Sequence, residues 1–386
     1  MTHVATFDPP ERLLMGPGPS NVHPRVYAAL SAPVVGHLDP VFLSVMEESK
    51  DLLRAVFQTR NELTIAISGT GSAGMETCFV NALEPGDRVL VCIHGVFGVR
   101  MREVATRCGA EVDVVEAEWG TAIPAEAVAE ALSGAAYKVV AIVHAETSTG
   151  VLQPLEEISR LVRDHGALLL VDTVTSLGGV ELDIDGLGID LSYSGTQKCL
   201  SCPPGLSPVT FSQRAMECLA QRRTPVQSWY LDLSLISQYW GESRLYHHTA
   251  PISMNYALRE ALILVAEEGL EVRWERHRRN QAALVRGLEA LGLALVVDEA
   301  IRLPALTTVR IPEGVDDAQL RGILLQRFGI EIGGGLGAFK GKAWRVGLMG
   351  ATSTERNVTT FLAAFEATLA TQGHKAGGAV EAALSV

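Results

Sequence analysis

The chain has 386 residues, 47% of them hydrophobic and 20% charged, with a formal net charge of −12. That length is too great for one small domain, the composition supports a large core, and the acidic balance argues against nucleic acid as a partner, since phosphate backbones need a basic surface. No apolar run is long enough to span a bilayer, Met1 to Pro10 lacks the charged and apolar regions of a signal peptide, and the six cysteines lie scattered between Cys78 and Cys218 with no disulfide framework. A chain without membrane contact, in a reducing cytoplasm, is expected.

In chain order, Leu63–Ser68 (LTIAIS) reads as a buried strand that runs into Ser68-Gly69-Thr70-Gly71-Ser72 and a helix over Gly74–Ala82. Arg88–Ile93, Val139–His144 and Ala167–Val171 read as further strands, with helices over Phe97–Cys108, Pro124–Leu132 and Leu155–His165 between them. Near-continuous apolar strands alternating with helices predict an α/β fold, a mostly parallel sheet covered on both faces. Beyond about residue 250 the texture changes. Long helices over Tyr256–Glu268 and Val272–Leu291 precede short strands at Leu306–Ile311 and Trp344–Leu348, with helices at Asp316–Phe328 and Ser353–Ala370. This predicts a second, smaller α+β domain. The run Arg276-His277-Arg278-Arg279 reads as a solvated helix face.

Three pieces carry chemistry. The strand Leu168–Val171 ends in Asp172, where open α/β sheets place ligands, although a capping carboxylate would look the same. Lys198 follows Ser192-Tyr193-Ser194-Gly195-Thr196-Gln197 and precedes Pro203-Pro204-Gly205, a poor setting for a surface helix. Burial there would lower its pKa and free the amine as a nucleophile. The glycine loop after Leu63–Ser68 opens a helix whose free N–H groups suit a phosphate, but it lacks the endings of a P-loop or a dinucleotide fingerprint. A phosphate cup, an acid for a pyridinium nitrogen and an imine-forming lysine together are what pyridoxal 5′-phosphate requires.

On these and further motifs the chain resembles the class V aminotransferases of fold type I, near the alanine–glyoxylate and serine–glyoxylate enzymes. The motifs are Gly16-Pro-Gly-Pro-Ser20, Ser68-Gly-Thr-Gly71, Glu84-Pro-Gly-Asp87, His144-Ala-Glu-Thr-Ser-Thr-Gly150, Leu170-Val-Asp172, Ser194-Gly-Thr-Gln-Lys198, Tyr246-His-His-Thr249 and Arg345-Val-Gly-Leu348, between Leu14 and Leu369. The resemblance implies a seven-stranded-type sheet in a large cofactor domain over 21–265, after an N-terminal arm over 1–20, with a small domain over 266–372 and a tail over 373–386. It implies Lys198 as the Schiff-base lysine and Asp172 facing the pyridine nitrogen. It places Thr70, Gly71, Ser72 and Gln197 at the phosphate, Phe97 and Val174 on the two ring faces, and Thr147 near the ring hydroxyl. Tyr246 and Thr249 would reach the phosphate of a second subunit, making a homodimer with shared sites. Arg345 would fork onto the substrate carboxylate, with Gly18 and His37 also in the substrate site. The implied reaction is ping-pong transfer from a small amino acid, alanine or serine, to glyoxylate, a 2-oxo acid.

A ureidoglycine donor is the first alternative: the alanine-rich tail Gly377–Val386 favours it, whereas His37 and Tyr246 stand where that subgroup tends to carry Gln and Asn. A desulfurase would need a late thiol, and no cysteine follows Cys218. A non-catalytic module would have no need of Lys198, Asp172 and Arg345 together. Cys199-x-x-Cys202 and His247-His248 are read as structural, not as metal ligands, and His144 as a core or supporting histidine.

Overall fold

The computed structural model describes residues 7–386; the first six residues of the arm, and most of the stretch read for a leader, lie outside them. A seven-stranded sheet forms the centre. Its strands are β1 (Leu63–Ser68), β2 (Arg88–Ile93), β3 (Glu111–Glu116), β4 (Val139–Val143), β5 (Leu168–Asp172), β6 (Leu191–Tyr193) and β7 (Leu206–Phe211), in the order β1-β7-β6-β5-β4-β2-β3. All neighbours are parallel except β7, which runs antiparallel to both β1 and β6. The mostly parallel α/β sheet expected from alternating apolar strands is the one observed.

Burial follows position in the sheet. β4 and β5 are central and buried at every residue. β3 is an edge strand, and its EVDVVE sequence leaves Glu111, Val114 and Glu116 exposed, charge that discourages pairing with another chain. β1 also lies at an edge, but the helix Pro40–Phe57 packs over it, nucleated by Asp39, whose side chain accepts from Val41 N–H ahead of Pro40. Among the described residues no helix is long and apolar enough to cross a membrane.

A second core gathers around the strands Leu306–Arg310, Gly333–Gly334 and Ala343–Gly347 and the helices Leu270–Ala290 and Glu355–Ala370. Phe361 and Phe365 stack at 4.9 Å, and Trp344 meets Phe365 edge-on at 5.3 Å. The tail contributes a short helix, Ala379–Ala383, whose Ala379 and Ala383 are buried in this core.

The basic run corrects one expectation. Only Arg278 and Arg279 face solvent. His277 is fully buried; its Nε2 accepts from Gly350 N–H at 3.0 Å, leaving Nδ1 to donate to Arg273 O at 2.7 Å. Arg276 is half-buried on Glu268 and donates to the carbonyls of Gly350 and Ser353. The helix Leu270–Ala290 packs on neighbouring elements along this face, so the first two members of the run turn inward and the last two outward.

Candidate active site

The carboxyl ends of β1, β5 and β6 converge on one cavity of about 200 Å³. Thr70, Gly71, Ser72, Phe97, Asp172, Val174, Gln197 and Lys198 line it, all of them foreseen from the sequence. Met75, Arg100 and Tyr193 line it too and were not foreseen.

The loop at its floor is shaped by close packing. Gly69 has φ +146°, and a Cβ there would lie 2.6 Å from Ala73 Cβ. The turn delivers the helix α1 (Gly71–Ala82) with its N-terminus open: Thr70 is the N-cap, yet its hydroxyl makes no capping bond. Free N–H groups, two hydroxyls and the positive end of a helix dipole therefore face one spot. Gln197 Oε1, buried nearby, has no hydrogen-bond partner.

Asp172 ends β5 and is 2% exposed. Oδ1 accepts from Val174 N–H at 2.8 Å and Oδ2 from the Tyr193 hydroxyl at 2.7 Å. Burial pushes its pKa up to about 7 against those two bonds, and the nearby Glu146 adds to the rise. Tyr193 reaches Asp172 because parallel pairing of β5 with β6 sets the two residues side by side.

Lys198 is 8% exposed, and burial, helped by the charge of Arg345, brings its pKa down to about 8. Nζ donates to Pro17 O. Gly18 beside it has φ +102°, and a Cβ there would fall 2.7 Å from Nζ, so only glycine leaves the amine its room.

Arg345 comes from the second core. It is 6% exposed, its Nε donates to Gly334 O at 2.8 Å and its Nη1 to Thr147 O at 3.1 Å. Both partners are backbone carbonyls, and among the described residues no carboxylate forms an ion pair with it. Burial lowers its pKa to about 10. A desolvated guanidinium without an anion is expensive to maintain and ready for one.

The other predicted residues lie outside the cavity wall. The Thr147 hydroxyl is engaged with that of Thr175 at 2.6 Å. His37, Tyr246 and Thr249 sit together on the surface: Tyr246 is 61% exposed, 5.0 Å ring to ring from His37, its hydroxyl 3.3 Å from Thr249 Oγ1. His248 ties this segment to the end of β1 through Ser68 Oγ at 2.8 Å. His247 and His248 meet through their Nδ1 atoms at 2.8 Å, and among the described residues no cluster of three or more His, Cys, Asp or Glu could hold a metal ion. Cys199 and Cys202 are buried, unpaired and far above thiol reactivity, their pKa values raised by burial to about 11 and about 12. His144 is buried, its imidazole pKa lowered by burial to about 4, and its backbone N–H donates to Asp172 O.

A larger groove of about 1080 Å³ opens at the opposite end of the strands, near Leu63 and Phe211. Two of its carboxylates are already engaged, Asp185 by Thr59 and Arg60 and Asp190 by Ser212 and Arg214. The small cavity, not the large groove, holds the reactive groups.

Residues 23–358 match the family model described as Aminotransferase class-V. Alanine–glyoxylate aminotransferase of Callithrix jacchus is 44% identical over 90% of this chain and 85% of its own. The crystal structure of alanine–glyoxylate aminotransferase from Nostoc sp. superposes with a TM-score of 0.94 at 52% identity, covering 95% of this chain and 97% of that one. Ureidoglycine–glyoxylate aminotransferase from Bacillus subtilis superposes at 0.97 with 44% identity, over 99% of both chains.

Proposed function

Because the chain belongs to the class-V aminotransferases, we propose that it moves an amino group from alanine or serine to glyoxylate in two half-reactions, with pyridoxal 5′-phosphate as cofactor. The residues fit that cofactor. Thr70, Gly71, Ser72 and the amide NH2 of Gln197 would take its phosphate, Asp172 its ring nitrogen, Phe97 and Val174 its ring faces, and Lys198 its aldehyde carbon. When bound, the cofactor supplies an electron sink for the substrate's α-carbon.

The protein's own groups do the rest. Asp172, charged once a cation faces it, holds a proton on the ring nitrogen. Lys198, with a pKa near 8, is part neutral close to neutral pH, so Nζ can take the proton from the α-carbon and return it one atom away. Arg345 binds the substrate carboxylate and thereby aims the α-carbon at Nζ. The observation that carries this reading is Arg345 itself: a buried guanidinium, close enough to depress the Lys198 pKa, held by carbonyls and bonded to no anion among the described residues.

A ureidoglycine donor is the second reading, supported by the identity to the Bacillus subtilis enzyme across its whole length. The His37–Tyr246 pair favours alanine or serine. We also propose that a second copy covers the exposed Trp229, Tyr230, Leu245 and Tyr246, bringing Tyr246 and Thr249 to the partner's phosphate loop. Further proposals are that the two cores are domains over 21–265 and 266–372, and that the six free cysteines suit a reducing cytoplasm. The test is kcat/KM for alanine, serine, glycine and ureidoglycine, each with glyoxylate. Alanine or serine should lead; no turnover of glyoxylate with any donor would overturn the assignment.

A further inference from the structure

The turn between the short strands Ala145–Glu146 and Val151–Leu152 touches both halves of the site. Glu146 within it is fully buried. Its Oε1 accepts from Ser148 N–H at 3.0 Å and from the Ser148 hydroxyl at 2.6 Å, and its Oε2 accepts from Phe97 N–H at 3.1 Å. Ser148 Oγ in turn accepts from Val96 N–H at 2.9 Å. Val96 and Phe97 are the first two residues of the helix α2 (Val96–Arg107), whose own N-cap is Gly95, with no side chain to offer. Glu146 and Ser148 thus satisfy from outside two of the N–H groups a helix leaves open. Gly95 is what permits it, since a Cβ there would lie 2.3 Å from Glu146 Cδ and 2.6 Å from Ser148 Oγ. A carboxylate at a helix N-terminus is also favourably placed in the dipole.

The same turn receives the arginine, through Thr147 O. The negative charge of Glu146 raises the pKa of Arg345 against the lowering effect of burial, and burial raises that of Glu146. Glu146 thus offsets part of the cost of burying Arg345, without a direct bond.

We propose that Glu146 is a positioning residue that caps α2 from outside, fixing Phe97 at the cavity wall, and serves as the resting counter-charge of Arg345 until a substrate carboxylate replaces it. The inference rests on the roles of Phe97 and Arg345 given above. Both carboxylate oxygens face N–H donors, so a glutamine must set its amide NH2 against one of them. Glu146→Gln therefore removes the charge and costs at least one of these hydrogen bonds in one step. Ser148→Ala breaks only the relay to Val96 and leaves the charge.

Two measurements separate these effects. Pyridoxal phosphate is titrated into the apoproteins by visible circular dichroism, and steady-state constants are taken with alanine and glyoxylate. Glu146→Gln should raise the cofactor dissociation constant about fivefold, as loss of a helix cap does. It should weaken the dichroic band and lower kcat, while KM for both acids falls roughly threefold because the competing charge has gone. Ser148→Ala should weaken cofactor binding with KM unchanged. A Glu146→Gln protein with wild-type affinity and dichroism, or with KM raised, overturns the inference. If that variant does not fold, wild-type cofactor affinity in Ser148→Ala overturns it instead. A wild-type apoprotein that takes up no pyridoxal phosphate would sink the proposed function, and this with it.

Discussion

Removing the guanidinium of Arg345 should cost the enzyme its grip on every carboxylate substrate and little else. The side chain is 94% buried by its 6% residual exposure, and its donors hold Gly334 O and Thr147 O, so the fork is fixed before substrate arrives. Truncating one partner of a buried, hydrogen-bonded charge pair typically costs about 2–5 kcal/mol. At about 1.4 kcal/mol per factor of ten, Arg345→Ala should lower kcat/KM for alanine by roughly 30-fold to 4,000-fold. Arg345→Lys should fall between, because a point charge cannot reproduce the fork. The assay follows pyruvate from alanine and glyoxylate, with alaninamide as a second donor. Alaninamide has no carboxylate, so Arg345→Ala should leave its half-reaction rate with the cofactor within a few-fold of wild type. Equal losses for alanine and alaninamide would show that Arg345 supports the fold and not the substrate. Unchanged constants for both would remove it from the site.

Two further outcomes follow from the charges around the cavity. The Lys198 pKa is lowered from 10.5 to about 8 in the fold, so between those values the unfolded chain binds more protons, and stability from this group rises with pH across that window. Below about pH 8 the cost is fully present. Lys198→Met should therefore abolish turnover and the visible imine band, yet stabilise the cofactor-free protein at pH 7 by at most about 3 kcal/mol, a gain that fades by pH 10.5. Urea unfolding at several pH values checks it, and a Lys198→Met protein less stable at pH 7 than at pH 10.5 relative to wild type would contradict it. Tyr193→Phe removes the hydroxyl that donates to Asp172 Oδ2, which lifts the carboxyl pKa further above 7. In the cofactor-free protein the Asp172 carboxyl should titrate at higher pH than in wild type, as read by carboxyl NMR, and superimposable titrations would deny Tyr193 that part.

The site was legible in the sequence where its chemistry is local. The Ser68–Ser72 loop, Asp172 at a strand end and the small residues before Lys198 each announce themselves within a few positions. Tyr193 lies in the sequence window next to Lys198, but its bond to Asp172 depends on the β5–β6 register, which no local pattern reports. Glu146 was quoted only as part of a motif, because its task is set by a helix nearly fifty residues earlier. β7 was missed for a different reason. Pro208 argues against a central strand, since it cannot donate to a ladder. Here it sits in the middle of one, where its carbonyl still accepts from Ser194 N–H at 2.8 Å. The helix Pro40–Phe57 had a readable start in Asp39-Pro40 that the sequence reading passed over.

The stretch Leu13–Ser20 has a consequence in time. Leu13 and Leu14 pair with Ile330 and Glu331, and Met15 O accepts from Gly347 N–H. Two residues on, Pro17 O accepts from Lys198 Nζ, and the Ser20 hydroxyl donates to Lys198 O at 2.8 Å. Residues made early thus cradle the reactive amine, and they are held there by residues made more than three hundred positions later. Contacts of such sequence separation form slowly. A growing chain can complete its central sheet while still on the ribosome, but the amine acquires its final surroundings only after Gly347 has emerged. On the proposed function, capture of the cofactor in its finished pocket would accordingly be among the last steps by which the nascent enzyme matures.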